Sequence, residues 1–385
     1  MLPTIVQVNI AAQRVADATT RGAPDLSSYQ KEIDYFRRNI GRIQSDIELV
    51  NDKRIFDFAM AAFDLPNDSN ARGYVRNLLL QNPDDPAAPI NQLENKRYGE
   101  FARLFRFPGS GQDAVRTPSV VEAIIQRFRD MKTAEARLET VVDPTSSRNV
   151  STAQRLREIQ YFVENIGKVK SADDLVSDYR LYQFLVTAFD LQGQENAQGL
   201  IKKLISQDFN DEASLYNRLR NAQFREFANF FQFPGAGERN VQDKRQVMAV
   251  VDRYVEVATE IQEGEANPGV RLALYFDRNA GDVQSYFGLL SDRPLREFIF
   301  TTFSLPSELN GLPVNRLAAR IEQLVDLNDL YSQEGRQKLI RRYAAVYDAQ
   351  NASAGVGGAS IVSLFRPIGL AGASASSLFA AAVSR

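Results

Sequence analysis

Arg157-Glu158-Ile159-Gln160-Tyr161-Phe162-Val163-Glu164-Asn165-Ile166-Gly167 is the stretch on which the reading of the fold turns. Its apolar residues 159, 162, 163 and 166 fall at helical spacing, which gives one apolar face and one charged face. The pattern has an earlier counterpart in Glu32-Ile33-Asp34-Tyr35-Phe36, followed by Asn39-Ile40-Gly41. Ala62-Phe63-Asp64-Leu65 returns as Ala188-Phe189-Asp190-Leu191, and Phe105-Arg106-Phe107-Pro108-Gly109 as Phe231-Gln232-Phe233-Pro234-Gly235. Each pair is 126 residues apart. A register held without a gap over about 75 residues marks a true internal repeat.

A third copy is weaker. Tyr275-Phe276, Asn279, Gly281, Asp292, Phe298, Phe303 and Leu305 each stand 114 residues after Tyr161-Phe162, Asn165, Gly167, Asp178, Phe184, Phe189 and Leu191. Beyond Leu305 the likeness fades and no Phe-Pro-Gly follows, so this copy reads as truncated and as keeping only the opening helices. The expected fold is all-α, tandem helical repeats with two full copies, a truncated third and flexible termini. The expected segments are an N-terminal piece 1–28, repeat one 29–140, repeat two 151–265, partial repeat three 270–348 and a Gly/Ala/Ser-rich tail 349–385. No alternating strand pattern of convincing length occurs.

The recurring residues have local roles. Gly41, Gly167 and Gly281 fall where a helix ends, the position of a left-handed glycine cap. Asp52, Asp178 and Asp292 precede the next apolar run and are expected N-caps, their carboxylates accepting from free backbone N–H groups. Leu181, Phe184, Leu185 and Ala188 form one face of the helix that follows. Further helices are expected over 196–207, 213–220 and 224–231, then long ones over 117–138 and 244–262 after each Phe-Pro-Gly.

Composition narrows function. Apolar residues are 44% and charged residues 24%, enough apolar material for a core along most of the chain. Lys+Arg is 46 against Asp+Glu 48, a net charge of −2, which argues against nucleic acid or an anionic membrane as partner. Cys and His are absent. That removes thiolate nucleophiles, the commonest general base and the commonest zinc ligands. The first residues carry neither a basic opening nor a sustained apolar run, so no cleavable secretory signal is expected, and no stretch reaches the length of a membrane span.

Several candidate sites resolve into plainer readings. Pro108-Gly109-Ser110-Gly111 and Pro234-Gly235-Ala236-Gly237 precede helices as phosphate loops do. Neither has the Lys-Ser/Thr pair or the preceding strand, so both read as helix-breaking turns. Asp84-Asp85 and Asp208-Phe209-Asn210-Asp211-Glu212 lack calcium-loop spacing and read as surface turns. Phe101, Phe105, Phe107 and Phe224, Phe227, Phe230, Phe231, Phe233 read as core, with a peptide groove as the rival. Arg54, Arg180 and the Tyr-Phe pair recur, and recurrence points to architecture. No catalytic, cofactor-binding or metal residue is assigned, and the chain is expected not to be an enzyme.

Residues 158–175, with Asp178-Tyr179-Arg180-Leu181-Tyr182 and Thr187-Ala188-Phe189-Asp190-Leu191, resemble a family of uncharacterised, often tandem alphaproteobacterial domains, domain of unknown function 1217. Genes of that family often lie among flagellar genes, and it has no known catalytic residues. The resemblance covers most of 29–347 and implies a flagellum-linked structural or assembly protein. Its implied partners are other flagellar proteins or further copies of itself, and it would be exported without a cleavable signal. The alternative is a cytoplasmic helical adaptor or export chaperone. Axial rod and hook proteins carry strand-rich middle domains, and the absence of strand pattern departs from them. The tail from Ala349, with Ile361, Val362, Leu364, Phe365, Leu378 and Phe379 among Gly, Ala and Ser, is expected to be flexible alone and to order against a partner.

Overall fold

The recurring sequence positions become recurring helices in a computed structural model that describes residues 2–66, 71–107, 109–142, 150–219 and 222–354. Among the described residues there is no strand. Each copy starts with an opening helix, Gln30–Asn39, Val150–Ile166 and Pro268–Asn279. A short helix follows, Asp46–Asn51, Ala172–Ser177 and Tyr286–Ser291. Next comes a helix capped at both ends, Lys53–Ala62, Tyr179–Ala188 and Arg293–Thr302. A long closing helix ends each copy, Pro118–Val142, Lys244–Ala266 and Gln333–Ala354. The third copy is therefore shortened in its middle and not at its end. Where the first two copies insert four further α-helices before closing, it has only Val314–Glu322 and Leu327–Tyr331. The expectation that it keeps only the opening helices is corrected: its closing helix had diverged too far in sequence to be matched.

The expected aspartate caps are present. Asp178 accepts from the amides of Arg180 and Leu181, both at 3.0 Å, and Asp52 and Asp292 cap their own helices in the same way. The second carboxylate oxygen accepts a tyrosine hydroxyl from the opening helix: Tyr35 at 3.1 Å, Tyr161 at 2.7 Å and Tyr275 at 2.8 Å. Ser45, Ser171 and Ser285 cap the short helices. One carboxylate thus both starts a helix and ties it to its neighbour. Asp178→Ala should cost about 1–2 kcal/mol, a lost cap plus a lost tyrosine bond. Urea unfolding of the full chain measures it, and an unchanged midpoint would remove the cap from the account.

The glycine caps are not where the sequence suggested. Gly41, Gly167 and Gly281 have no positive φ, because the chain leaves each opening helix through a tight 3₁₀-like turn closed by bonds such as Val169 N–H to Ile166 O at 3.1 Å. A Cβ on Gly41 or Gly167 would lie 3.5 or 3.7 Å from the backbone carbonyl of Val115 or Val241, an ordinary van der Waals contact, so neither backbone angle nor space demands a glycine there. The left-handed residue comes two α-helices later, at Asp64, Asp190 and Ser304, with φ of 49°, 55° and 50°. The amides of Leu65, Leu191 and Leu305 then reach back five residues to Met60, Val186 and Phe300 carbonyls at 2.8–2.9 Å. This is a Schellman ending with a polar residue where glycine is usual, and Asp tolerates that conformation better than most residues do.

Of the described residues, 20–185 and 198–252 form one compact unit, and 2–19, 186–197 and 253–354 form the other. In the first, Phe36, Phe58 and Phe128 stack in series at 4.3 and 4.1 Å, each at most 4% exposed. In the second, Phe276, Phe298 and Tyr343 repeat the stack at 3.8 and 4.4 Å. Every stack joins an opening, a capped and a closing helix. The N-terminal segment, expected to be loose, forms the helix Thr4–Thr20, whose Val8 and Ala11 are buried in the second unit's core. The amide of Thr4 donates to Asp348 at 3.0 Å. Tail residues 355–385 lie outside the described residues, and with them the expectation of flexibility there. Among the described residues no helix is long and apolar enough to cross a membrane.

Candidate functional site: ionic sockets at the repeat junctions

Three features meet at the end of each capped helix. The first is an arginine from the closing helix. Arg127 lies 4.1 Å over the Phe63 ring, Arg253 4.6 Å over Phe189 and Arg342 4.2 Å over Phe303. Arg127 and Arg253 also donate to the carbonyls of Ala62 and Ala188. The second feature is the left-handed residue, Asp64, Asp190 or Ser304. The third is a cation from the copy that follows, present at the two aspartates.

At Asp64 the cation is Lys244, 2.9 Å from one carboxylate oxygen and 3.4 Å from Glu135, while Arg97 pairs with the other Asp64 oxygen. Burial works against the Lys244 charge, but Asp64 and Glu135 outweigh it and raise its pKa. Burial likewise works against the Glu135 charge, and Lys132 and Lys244 overcome it. At Asp190 the cation is Arg278, whose Nε and Nη2 grip both oxygens of Glu260 at 2.7 and 3.0 Å. Its Nη2 also reaches Asp190 at 2.5 Å. Glu260 is 4% exposed. That burial pushes its carboxyl pKa up despite Arg278, and the nearby Asp190 charge adds to the rise. Arg278 feels the same burial, yet its two carboxylates hold it well above its usual value. Tyr275 and Asp292 sit beside this cluster, and burial raises both.

The two sockets are solved by different residues. Arg278 corresponds in register to Glu164 in the second copy, and Lys244 to Pro118 in the first. Only the acidic acceptor recurs. Chemically these groups can fix one copy against the next. Each charge is already matched, and burying a matched ion pair gives geometric specificity more readily than net stability.

Sequence reading placed Asp64 and Asp190 at the helix stop but did not single out Lys244, Glu135, Glu260 or Arg278. The available signal was the change from Asp to Ser at position 304. The other candidates fall out as structure. Gly109 and Gly235 have φ of 126° and 135°, and the amides of Gly111 and Gly237 donate at 2.8 Å to Arg106 and Gln232 carbonyls rather than facing an open cradle. Asp85, Asp208 and Asp211 accept from backbone amides two residues on, as turn residues do. Phe101, Phe105, Phe107, Phe224, Phe227, Phe231 and Phe233 are all buried, at 5% exposure or less. These members of the two clusters are core and do not line a peptide groove, while Phe230 is half-buried beside Phe231. Arg54 and Arg180 lie 3.7 and 3.9 Å over the Tyr35 and Tyr161 rings, beside the aspartate caps. Among the described residues no three carboxylates stand together as a metal would need.

The family model described as Protein of unknown function (DUF1217) matches twice, over residues 62–195 and 188–335. Each match begins at an Ala-Phe-Asp-Leu segment, so the family unit runs from one junction into the next copy. No curated protein matches the chain. A crystal structure of protein AGR_C_984 from Agrobacterium tumefaciens is similar, at 31% identity and a TM-score of 0.47. The likeness covers 56% of this chain and 87% of that one.

Proposed function

Because the chain belongs to the family described as Protein of unknown function (DUF1217), we propose that it is a non-enzymatic, flagellum-associated structural or assembly protein, a helical scaffold that binds protein partners. The observation that carries the reading is where the recurring polar groups go. The tyrosine–aspartate ties, the arginines on phenylalanine and the junction sockets all serve helix starts, helix ends and junctions. A chain whose repeated chemistry is used in holding copies in series presents its surface, not a reacting centre, to other molecules. The flagellar assignment itself comes from the resemblance carried by residues 158–191.

Deletion of the gene is the direct test. Loss or alteration of swimming, restored by a tagged copy that co-purifies with basal bodies or sheared filaments, is the expected result. Tagged protein confined to the cytosol, with motility still lost, would favour a cytoplasmic adaptor or export chaperone. Normal swimming with intact flagella would remove the flagellar assignment altogether.

A further inference from the structure

We propose that the third copy carries a junction groove that the described residues leave open, formed by Ser304, Ala345, Val346 and Ala349, and that the chain's own tail segment 359–369 docks there, where the following copy's opening helix lies in the second copy.

The groove is identified by register. Arg342 and Tyr343 stand 89 residues after Arg253 and Tyr254, and Arg342 covers Phe303 as Arg253 covers Phe189. By that offset Val346 corresponds to Val257 and Ala349 to Glu260, while Ser304 corresponds to Asp190. In the first copy the counterparts are Met131, Ala134 and Asp64. Met131 and Val257 are 0% exposed, and Ala134 and Glu260 are 3% and 4% exposed. In the third copy the matching surface is uncovered: Ser304, Ala345 and Ala349 are exposed and Val346 is half-buried, around one shallow groove. Both socket carboxylates of the second copy have become neutral and small, as Ser304 and Ala349. An occupant of this groove therefore needs apolar side chains and no buried cation.

The tail fits that description and arrives at the right place in the chain. In the second copy the closing helix ends at Ala266, and the next opening helix turns back, so that Arg278, twelve residues on, reaches Glu260. The third closing helix ends at Ala354. Gly355, Gly357 and Gly358 come next, residues suited to a reversal, and then Ile361, Val362, Leu364 and Phe365. Phe365-Arg366-Pro367-Ile368-Gly369 echoes Phe36-Arg37-Arg38-Asn39-Ile40-Gly41 with one residue fewer. The eleven residues from Ala354 to Phe365 span roughly 35 Å when extended, ample to return along the last turns of the helix. Tethering gives the segment an effective concentration on the order of millimolar, which favours it over a free partner of equal affinity.

The chain has no cysteine, so a double variant reports one proximity cleanly. The full-length Ser304→Cys, Leu364→Cys protein is oxidised at low micromolar concentration, beside a control with Ser304→Cys and Ala382→Cys. An intramolecular disulfide in monomer, formed about tenfold faster than in the control, is the expected result. Adding Ala349→Arg, an exposed helical substitution that fills the groove, should slow it about tenfold with the helical circular dichroism unchanged. Cross-linking only between chains would overturn the proposal in favour of a second copy as occupant. Equal rates in test and control, or no effect of Ala349→Arg on a folded protein, would also overturn it.

Discussion

Phe298→Ala should destabilise the second unit by about 4 kcal/mol or more. The ring is 0% exposed and is the middle member of its stack, 3.8 Å from Phe276 and 4.4 Å from Tyr343. Truncating a buried phenylalanine costs roughly 3–5 kcal/mol through lost transfer energy and the cavity left behind. Two aromatic contacts disappear as well, each worth about 0.5–1.5 kcal/mol beyond area. The neighbours cannot close the gap easily, since the stack joins three helices and each outer ring is held by its own helix. Phe298→Leu keeps most of the volume and should lose much less. Denaturant unfolding followed by circular dichroism separates the cases. Similar losses for Ala and Leu would mean that stacking geometry, not filled volume, sets the energy.

That stack shows how far the sequence could be read. Phe36, Phe162 and Phe276, with Phe58, Phe184 and Phe298, are visible as repeats because their spacing is fixed within two helices and a short connection. The third ring of each stack, Phe128 or Tyr343, lies at the closing helix, beyond a middle segment that the third copy shortens by 25 residues, so the offset from the second copy falls from 114 to 89. The change of offset conceals the match, although the packing role persists from Phe128 to Tyr343. The aspartate caps were legible because capping is local and depends on one side chain and the next three amides. The glycine reading failed for the complementary reason. A glycine after a helix permits a left-handed cap without requiring one, and only the tertiary structure shows that the chain leaves these helices by a 3₁₀-like turn instead.

The sockets were legible at one end. Asp64 and Asp190 recur, whereas Lys244 and Arg278 occupy unrelated positions in their own copies. Selection for a cation at a point in space leaves no period in sequence when different helices can supply it. The same reasoning explains why the third copy reads as an ordinary divergent repeat until its carboxylates are counted: Ser304 and Ala349 stand where Asp190 and Glu260 stand one copy earlier.

Arg278→Met should be among the most damaging single substitutions, at about 3–5 kcal/mol near neutral pH. Methionine fills a similar volume, so the loss comes from charge. Asp190 and Glu260 would remain buried and close, without the guanidinium that holds both, and breaking a buried pair from one side costs this much. The pH dependence gives the prediction its distinctive sign. Burial already raises the Glu260 carboxyl above its unfolded value of 4.5, with Arg278 opposing the rise. Without Arg278 the folded-state value climbs further, so the folded variant binds protons that the unfolded chain releases. Its stability relative to wild type should then improve as pH falls from 7 through that raised value towards 4.5. The double variant Arg278→Met, Glu260→Gln removes one of the two like charges and should recover part of the loss at pH 7. Urea midpoints for both variants between pH 7 and pH 5 decide the matter. A pH-independent deficit would assign the damage to packing around the methionine and leave the socket without an electrostatic role.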